Sequence, residues 1–237
     1  MNIRRFGLSV AMACCLVIPL AAQEGPPAGG ADDHAAKIKQ SLQASMQALR
    51  QYEWVETTAI SVKGDEKSRT QKKCRYGADG EVVKAPIGEP PQDSGKQPRG
   101  VRGRVAKRKK EDITESMKEA VGLVKQYVPP DPAKIEAAKQ AGKLSVVPPD
   151  ENGMVKIVIK DYLKPGDSVT IDLNAAKSLL SGMAISTFTE KKDAVGLKVS
   201  MGAFEDGTIY PANIDLDVEA ESLAVEIENS GYTKLGG

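Results

Sequence analysis

The sequence predicts an α+β domain built on one curved antiparallel sheet, an unclosed half-barrel of about nine strands. Two observations predict it. The last third of the chain alternates apolar and polar residues through several short runs, which is typical of strands with one dry and one wet face. Apolar residues recur at helical spacing in two other places, one before the first strand and one in the middle of the chain. Because a sheet with one apolar face must be covered, we expect an N-terminal helix and an inserted helical pair to lie across it.

Residues 1–22 have the pattern of a secretory signal peptide. Arg4 and Arg5 give the positive start, residues 6–20 are almost entirely apolar, and Leu20-Ala21-Ala22 offers small residues for cleavage. We therefore expect the mature protein to begin after Ala22 and to be periplasmic or extracellular. The sequence before Cys14 matches a lipoprotein signal only at the small residue that directly precedes the cysteine. The apolar run is also shorter than the roughly 20 residues that span a bilayer, which argues against a retained membrane anchor.

A flexible tether and a first helix are predicted next. Residues 23–33 are rich in Gly and Pro, which is typical of a flexible linker. A helix is expected over 33–51, with Asp32 or Asp33 as its N-cap and an apolar stripe that includes Ile38, Leu42, Met46 and Leu49. Residues 34–237 are predicted to form one domain.

The middle of the chain predicts a hairpin, a loop and the helical insertion. We expect strands over 54–62, 70–76 and 81–87, with a turn at 77–80, and then a Pro/Gly-rich loop over 88–104. The insertion is expected at about 111–141, as two helices separated by Val128-Pro129-Pro130. Asp131 is the predicted cap of the second helix, with Pro132 at its first position.

The C-terminal third predicts a meander of at least six strands. Pro165 and Gly166 suit a turn between the first two, since proline presets φ and glycine accepts a positive φ. The apolar positions of the alternating runs are Val155, Ile157 and Ile159; Val169, Ile171 and Leu173; Val195, Leu197, Val199 and Met201; Ile214, Leu216 and Val218; and Leu223, Val225 and Ile227.

The titratable residues argue against an enzyme. His34 is the only histidine and lies at the tether, so a folded Ser-His-Asp or Cys-His site would have no base. Cys74 is the only cysteine after the signal, which excludes an internal disulfide and thiolate metal clusters, and we expect it to be buried. No glycine-rich phosphate loop is present. The sequence predicts no catalytic residues, no metal and no cofactor; a pair of carboxylates remains the one catalytic alternative.

Charge is unevenly distributed. The chain has 33 Lys+Arg and 32 Asp+Glu, and two of the arginines belong to the signal, so the mature chain carries about −1. The sharpest local feature is a basic run without acids: Lys96, Arg99, Arg102, Arg104, Lys107, Arg108, Lys109 and Lys110. It is either a patch for an anionic partner, such as an anionic membrane surface, or a solvated loop. Secretion and an aromatic content of 4% argue against nucleic acid.

The predicted order of elements resembles that of the periplasmic lipoprotein carriers LolA and LolB and of the RseB stress sensor. These proteins share a signal, an N-terminal helix, an unclosed antiparallel barrel and a helical lid, and members of the fold hold acyl chains in the barrel. Several runs also resemble those of an uncharacterised group of secreted bacterial proteins: Tyr52-Glu53-Trp54, 74–80, Tyr127-Val128-Pro129-Pro130-Asp131-Pro132, 161–167 and Asn229-Ser230-Gly231-Tyr232.

The resemblance implies a non-enzymatic protein that binds a lipid, an acyl chain or a lipidated peptide in the half-barrel, with a lipid or lipoprotein as partner. The residues predicted to line that site are Trp54, Ile171, Leu197, Val199, Leu216 and Val225. The alternative is an envelope interaction or sensor module whose core is filled, in which these residues are ordinary core. The sequence leaves the oligomeric state open.

Overall fold

A computed structural model describes residues 31–88 and 101–236 of the chain. Three helices and ten strands make up this part. The helices are α1 (Ala31–Leu49), α2 (Val101–Val124) and α3 (Pro132–Gln140). The strands are β1 (Tyr52–Val62), β2 (Asp65–Tyr76), β3 (Val82–Pro86), β4 (Leu144–Val147), β5 (Met154–Lys160), β6 (Ser168–Asn174), β7 (Leu179–Phe188), β8 (Ala194–Ala203), β9 (Ile209–Val218) and β10 (Leu223–Lys234).

All ten strands form one antiparallel sheet in the order β3-β2-β1-β10-β9-β8-β7-β6-β5-β4. Strands β3 and β4 do not pair with each other, so the sheet is unclosed, and the predicted α+β class is confirmed. The structure has one strand more than the nine expected. Strand β4 has four residues, too few for a clear alternation, and β7 begins with two leucines and contains Gly182, which obscures its period.

The register places the apolar residues of the meander in rows that run across one face of the sheet. Val225 lies opposite Leu216, which lies opposite Leu197. One step along the strands, Ile227 lies opposite Ile214, which in turn lies opposite Val199. We call this the inner face, because the buried core of the molecule lies on it.

The helices pack mainly over one part of the inner face. Helix α1 packs against β7 and β9, α2 against β9 and the short 3-10 turn Ala220–Ser222, and α3 against β4 and β5. In α3 the predicted cap is confirmed, since Asp131 Oδ1 accepts a hydrogen bond from the Ala133 N–H at 2.9 Å and Pro132 follows it. The expected covering of the sheet by an N-terminal helix and a helical pair is therefore present.

Two helix boundaries differ from the sequence prediction. Helix α1 begins at Ala31, so Asp32 and Asp33 lie inside the helix and neither is its N-cap. Helix α2 begins at Val101, so the loop predicted to continue to Arg104 is helical from residue 101 and the helix starts ten residues before the expected 111. The Arg, Lys and Ala residues of this stretch are good helix formers, which accounts for the earlier start of the helix.

Other predictions concern residues outside the described part. The signal at 1–22, nearly all of the tether at 23–33, and Lys96 and Arg99 lie there. Among the helices that the structure describes, none is both long enough and apolar enough to cross a bilayer.

Candidate functional site: the inner face and its helical cover

Five of the six residues predicted to line a ligand site lie together on the inner face. Leu197, Leu216 and Val225 belong to one row, and Val199 and Ile171 to the next. All five are buried in the main core cluster. The structure thus brings these residues together, and in this conformation they pack against other side chains.

The cover over this face is the segment from α2 to α3, residues 101–140, which we call the lid. Its buried residues are Ala120, Val124, Tyr127, Pro130, Ile135 and Ala138. Partly buried residues of the lid pack against the same core: Ile113, Met117, Val121, Leu123 and Val128. The contact between the lid and the sheet is therefore mainly apolar.

The lid is also held by a buried polar contact at Tyr127. Its side chain is fully buried, and its hydroxyl lies 2.7 Å from Asp167 Oδ2 and 2.7 Å from Thr187 Oγ1. Burial raises the pKa of Tyr127, so the hydroxyl stays protonated and donates to the carboxylate. This contact joins the lid to the turn between β5 and β6.

Asp167 is fixed in place by its own turn. Its carboxylate accepts backbone hydrogen bonds from the N–H groups of Tyr162 at 2.6 Å, Leu163 at 3.1 Å and Lys164 at 3.0 Å. A second contact joins the same turn to the lid, because the Asp131 N–H donates to the Tyr162 hydroxyl oxygen at 2.6 Å. We call these two lid-to-turn contacts the latch. The turn holds the latch in a fixed geometry.

Trp54, the sixth predicted residue, lies in a separate aromatic cluster at the other end of the inner face. Its ring stacks on Tyr232 with centroids 5.6 Å apart and contacts Tyr76 at 5.4 Å. The cluster continues through Tyr52, Phe204 and Tyr210. Burial raises the pKa of both Tyr232 and Tyr76. The rings contact one another directly, so this cluster is a second small core.

A buried ion pair lies between the aromatic cluster and the apolar rows. Lys84 Nζ donates to Glu56 Oε2, and the two side chains are only 13% and 8% exposed. Glu56 lies opposite Asn229 on β10, two residues beyond Ile227 of the second row, so it faces inward. Asn229 Oδ1 accepts the Trp54 indole N–H at 3.1 Å. The inner face thus has a polar end next to its apolar rows.

Cys74 lies beside this ion pair. It is a free thiol, opposite Trp54 on β1 and Lys84 on β3, and it is buried as the sequence predicted. Burial first, and then the nearby Glu56 carboxylate, raise the pKa of the thiol to about 11. At neutral pH it is therefore protonated and a poor nucleophile.

The part of the basic run that the structure describes lies in the first half of α2. Arg104, Arg108, Lys109 and Lys110 are exposed, and the backbone of Arg102 and Lys107 is helical. We call residues 101–110 the cationic arm. Positive charges near the start of a helix oppose its dipole, and like charges four residues apart, such as Arg104 and Arg108, repel each other. The arm is therefore a segment that an anionic partner would stabilise.

No family model matches the chain, and no curated protein matches it. Its architecture is that of an unclosed half-barrel with a helical cover, and similar solved structures exist. An outer-membrane lipoprotein-sorting protein domain from Vibrio parahaemolyticus matches 85% of this chain and 92% of its own, at 9% identity and a TM-score of 0.38. A LolA superfamily protein from Nitrosomonas europaea matches 84% of this chain and 94% of its own, at 8% identity and a TM-score of 0.36.

A third similar structure is a DUF1329 family protein from Desulfovibrio piger. It matches 85% of this chain and 94% of its own, at 11% identity and a TM-score of 0.33. The resemblance drawn from the sequence is thus found again among solved structures. At these identities and TM-scores it is a likeness of general architecture, and what this chain binds has to be argued from its own side chains.

The polar residues of the inner face were not among the residues predicted from the sequence. Tyr127 and Asp167 lie in two of the runs quoted for the resemblance to secreted bacterial proteins, but no contact was predicted for either, and their hydrogen bond spans 40 residues of chain. Glu56 carried a usable signal, since it is the one charged residue among the inward positions of β1. No local pattern indicated that Lys84 would lie within reach of it.

Proposed function

We propose that this is a non-enzymatic binding protein of the periplasm or cell exterior that holds a lipid, an acyl chain or a lipidated peptide on the inner face. The bound chain takes the place of the lid against the rows that contain Leu197, Val199 and Leu216. The observation that carries this proposal is that apolar rows run across the inner face and that their cover consists of helices, which are not hydrogen-bonded into the sheet as a strand would be. The lipoprotein-sorting name of a similar structure agrees with it.

An acyl chain and the lid compete for the same apolar rows. Burying a Val or Ile side chain is worth about 1.5–3 kcal/mol, so Val124, Tyr127 and Ile135 alone hold the lid by roughly 5–9 kcal/mol, and the partly buried residues of the lid and the latch add to this. An acyl chain gains about 0.8 kcal/mol per buried methylene, so ten methylenes give about 8 kcal/mol. A ligand that displaces the lid must therefore bury one long acyl chain or several, and a much smaller apolar molecule does not suffice.

The cationic arm supports the same function from outside the barrel. We propose that it contacts anionic headgroups at a membrane surface, where each cation contributes about 1 kcal/mol. Vesicles of phosphatidylglycerol should bind the protein at low salt. Replacing Arg104, Arg108, Lys109 and Lys110 by Gln should remove most of that binding, whereas Gln at Lys67 and Lys73 on β2 should not. Equal losses in the two variants would contradict a role for the arm.

A second function is favoured by the packing of the predicted ligand residues. All five predicted ligand residues in the apolar rows are buried in the core. The alternative function is therefore that of an envelope interaction or sensor module with a filled core. In that case the lid never leaves the sheet, and partners bind at the outside of the molecule. The two functions differ in whether the inner face accepts an acyl chain.

Uptake of a fluorescent fatty acid by the wild type and by Tyr127→Phe tests the leading proposal. The substitution removes the hydroxyl that joins the lid to Asp167 and Thr187, so opening the lid costs about 1 kcal/mol less. The fatty acid binds only the open state, so its apparent affinity is lowered when that state is rarely populated. Because the variant opens more easily, its open state is more populated and we expect it to bind the fatty acid about fivefold more tightly. Titration followed by fluorescence measures this.

Tyr210→Phe is the matched control, because it makes the same chemical change in the aromatic cluster, away from the lid. Its affinity should equal that of the wild type. If neither the wild type nor Tyr127→Phe takes up the fatty acid, the carrier proposal is wrong and the interaction module is the better account. Equal affinity in wild type and Tyr127→Phe would show that the latch does not limit binding.

A further inference from the structure

The Glu56–Lys84 pair has a position that stability does not explain. A buried ion pair loses hydration on both charges, and replacing such a pair by apolar residues is often neutral or stabilising. The neighbouring inward positions of β1 carry no charge, since they are Trp54, Thr58 and Ile60. Both charges nevertheless lie on the inner face, nearly out of solvent.

The pair lies at one end of the path that an acyl chain would follow. Along β10, the inward residues Leu223, Val225 and Ile227 lead to Asn229, opposite Glu56. Six residues of an extended strand cover about 20 Å. This line of inward residues along β10 is long enough for an acyl chain. It ends at the two opposite charges of Glu56 and Lys84 and at the Asn229 amide.

We propose that the Glu56–Lys84 pair binds the headgroup of a zwitterionic phospholipid, with the phosphate on Lys84 and the headgroup ammonium on Glu56. This inference rests on the proposed function, since it places the polar end of the same bound lipid. When the headgroup binds, two ion pairs with the lipid replace the ion pair between Glu56 and Lys84, and the buried charges remain balanced. The Asn229 amide and the Trp54 indole lie beside this position and line it.

Charge balance also gives the pair selectivity. With Glu56 and Lys84 both present, the protein side of the site is neutral, and a neutral headgroup leaves it neutral. An anionic headgroup would pair with Lys84 and leave the Glu56 carboxylate buried without a partner, which is costly. The site should therefore favour a zwitterionic lipid over an anionic lipid with the same acyl chains.

The test compares acyl-labelled fluorescent phosphatidylcholine and phosphatidylglycerol with identical chains. The quantity measured in each variant is the ratio of the two dissociation constants. The cationic arm is the same in every variant, so its effect on this ratio is constant and a change in the ratio reports on residues 56 and 84. In Glu56→Gln the site carries one net positive charge, so we expect the preference to move toward phosphatidylglycerol by at least tenfold. The variant Glu56→Lys with Lys84→Glu restores neutrality, and its ratio should return to that of the wild type.

Glu53→Gln is the matched control. Glu53 lies on β1, as Glu56 does, and pairs with Lys73 of the neighbouring strand β2 at 2.7 Å, but on the opposite face of the sheet. Its lipid ratio should equal that of the wild type. If the wild type binds both lipids and the ratio is unchanged in Glu56→Gln, the headgroup assignment is wrong while the proposed function stands. If the wild type binds neither lipid nor fatty acid, the proposed function itself fails.

Discussion

Asp167→Ala should destabilise the protein by about 3–5 kcal/mol. The carboxylate is 2% exposed and accepts hydrogen bonds from three backbone N–H groups and from the Tyr127 hydroxyl. Each buried donor left without an acceptor costs about 1–3 kcal/mol, and part of this is recovered when water enters the turn. Urea unfolding followed by circular dichroism measures the change in the free energy of unfolding.

Asp206→Ala is the matched control for this prediction. Asp206 is an exposed turn carboxylate whose Oδ1 accepts one backbone hydrogen bond, from the Thr208 N–H at 2.9 Å. Its loss should cost about 0.5–1.5 kcal/mol. If Asp167→Ala were no more destabilising than Asp206→Ala, the turn would not be the fixed support that holds the lid.

Leu216→Ala should cost about 2–5 kcal/mol, the second large effect. Leu216 is 1% exposed and lies between Val225 and Leu197 in the centre of the inner face. The substitution removes buried methyl groups and leaves a cavity that the surrounding strands fill only in part. Thermal and urea unfolding of the variant measure the loss.

The size of this loss also reports on the state of the lid. Val146→Ala, at a position 58% exposed on the edge strand β4, is the control and should change stability by no more than about 0.5 kcal/mol. A loss below about 1 kcal/mol in Leu216→Ala would contradict a closed inner face in the unliganded protein. In that case the rows would be solvated before any ligand arrives.

The sequence predicted the sheet well because its signal is local. Residues such as Val195, Leu197 and Val199 alternate with polar neighbours, and this period alone decides which side chains face inward. The same period places Ile171, Leu197, Val199, Leu216 and Val225 on the inner face, where the strand register has them. The turn at Pro165 and Gly166 was predictable for the same reason, since its backbone requirements are met by adjacent residues.

The polar contacts of the site depend on distant parts of the chain and were not predictable in this way. Glu56 and Lys84 are 28 residues apart, and Trp54 and Asn229 are 175 apart. Trp54 and Asn229 meet because β10 pairs with β1, and Glu56 and Lys84 meet across β2, which lies between β1 and β3. The Gly and Pro residues of the sequence before residue 101 obscured the helical state of the cationic arm, whose Arg, Lys and Ala residues favour a helix.

Whether the inner face carries an acyl chain is the central question, and native mass spectrometry with lipid extraction answers it most directly. The protein would be purified without detergent from its own secretory compartment. The account predicts a stoichiometric acyl-containing species that dissociates on collisional activation and contains a zwitterionic headgroup. A clean mass of the protein alone, together with no uptake of fluorescent fatty acid by the wild type or Tyr127→Phe, would contradict it.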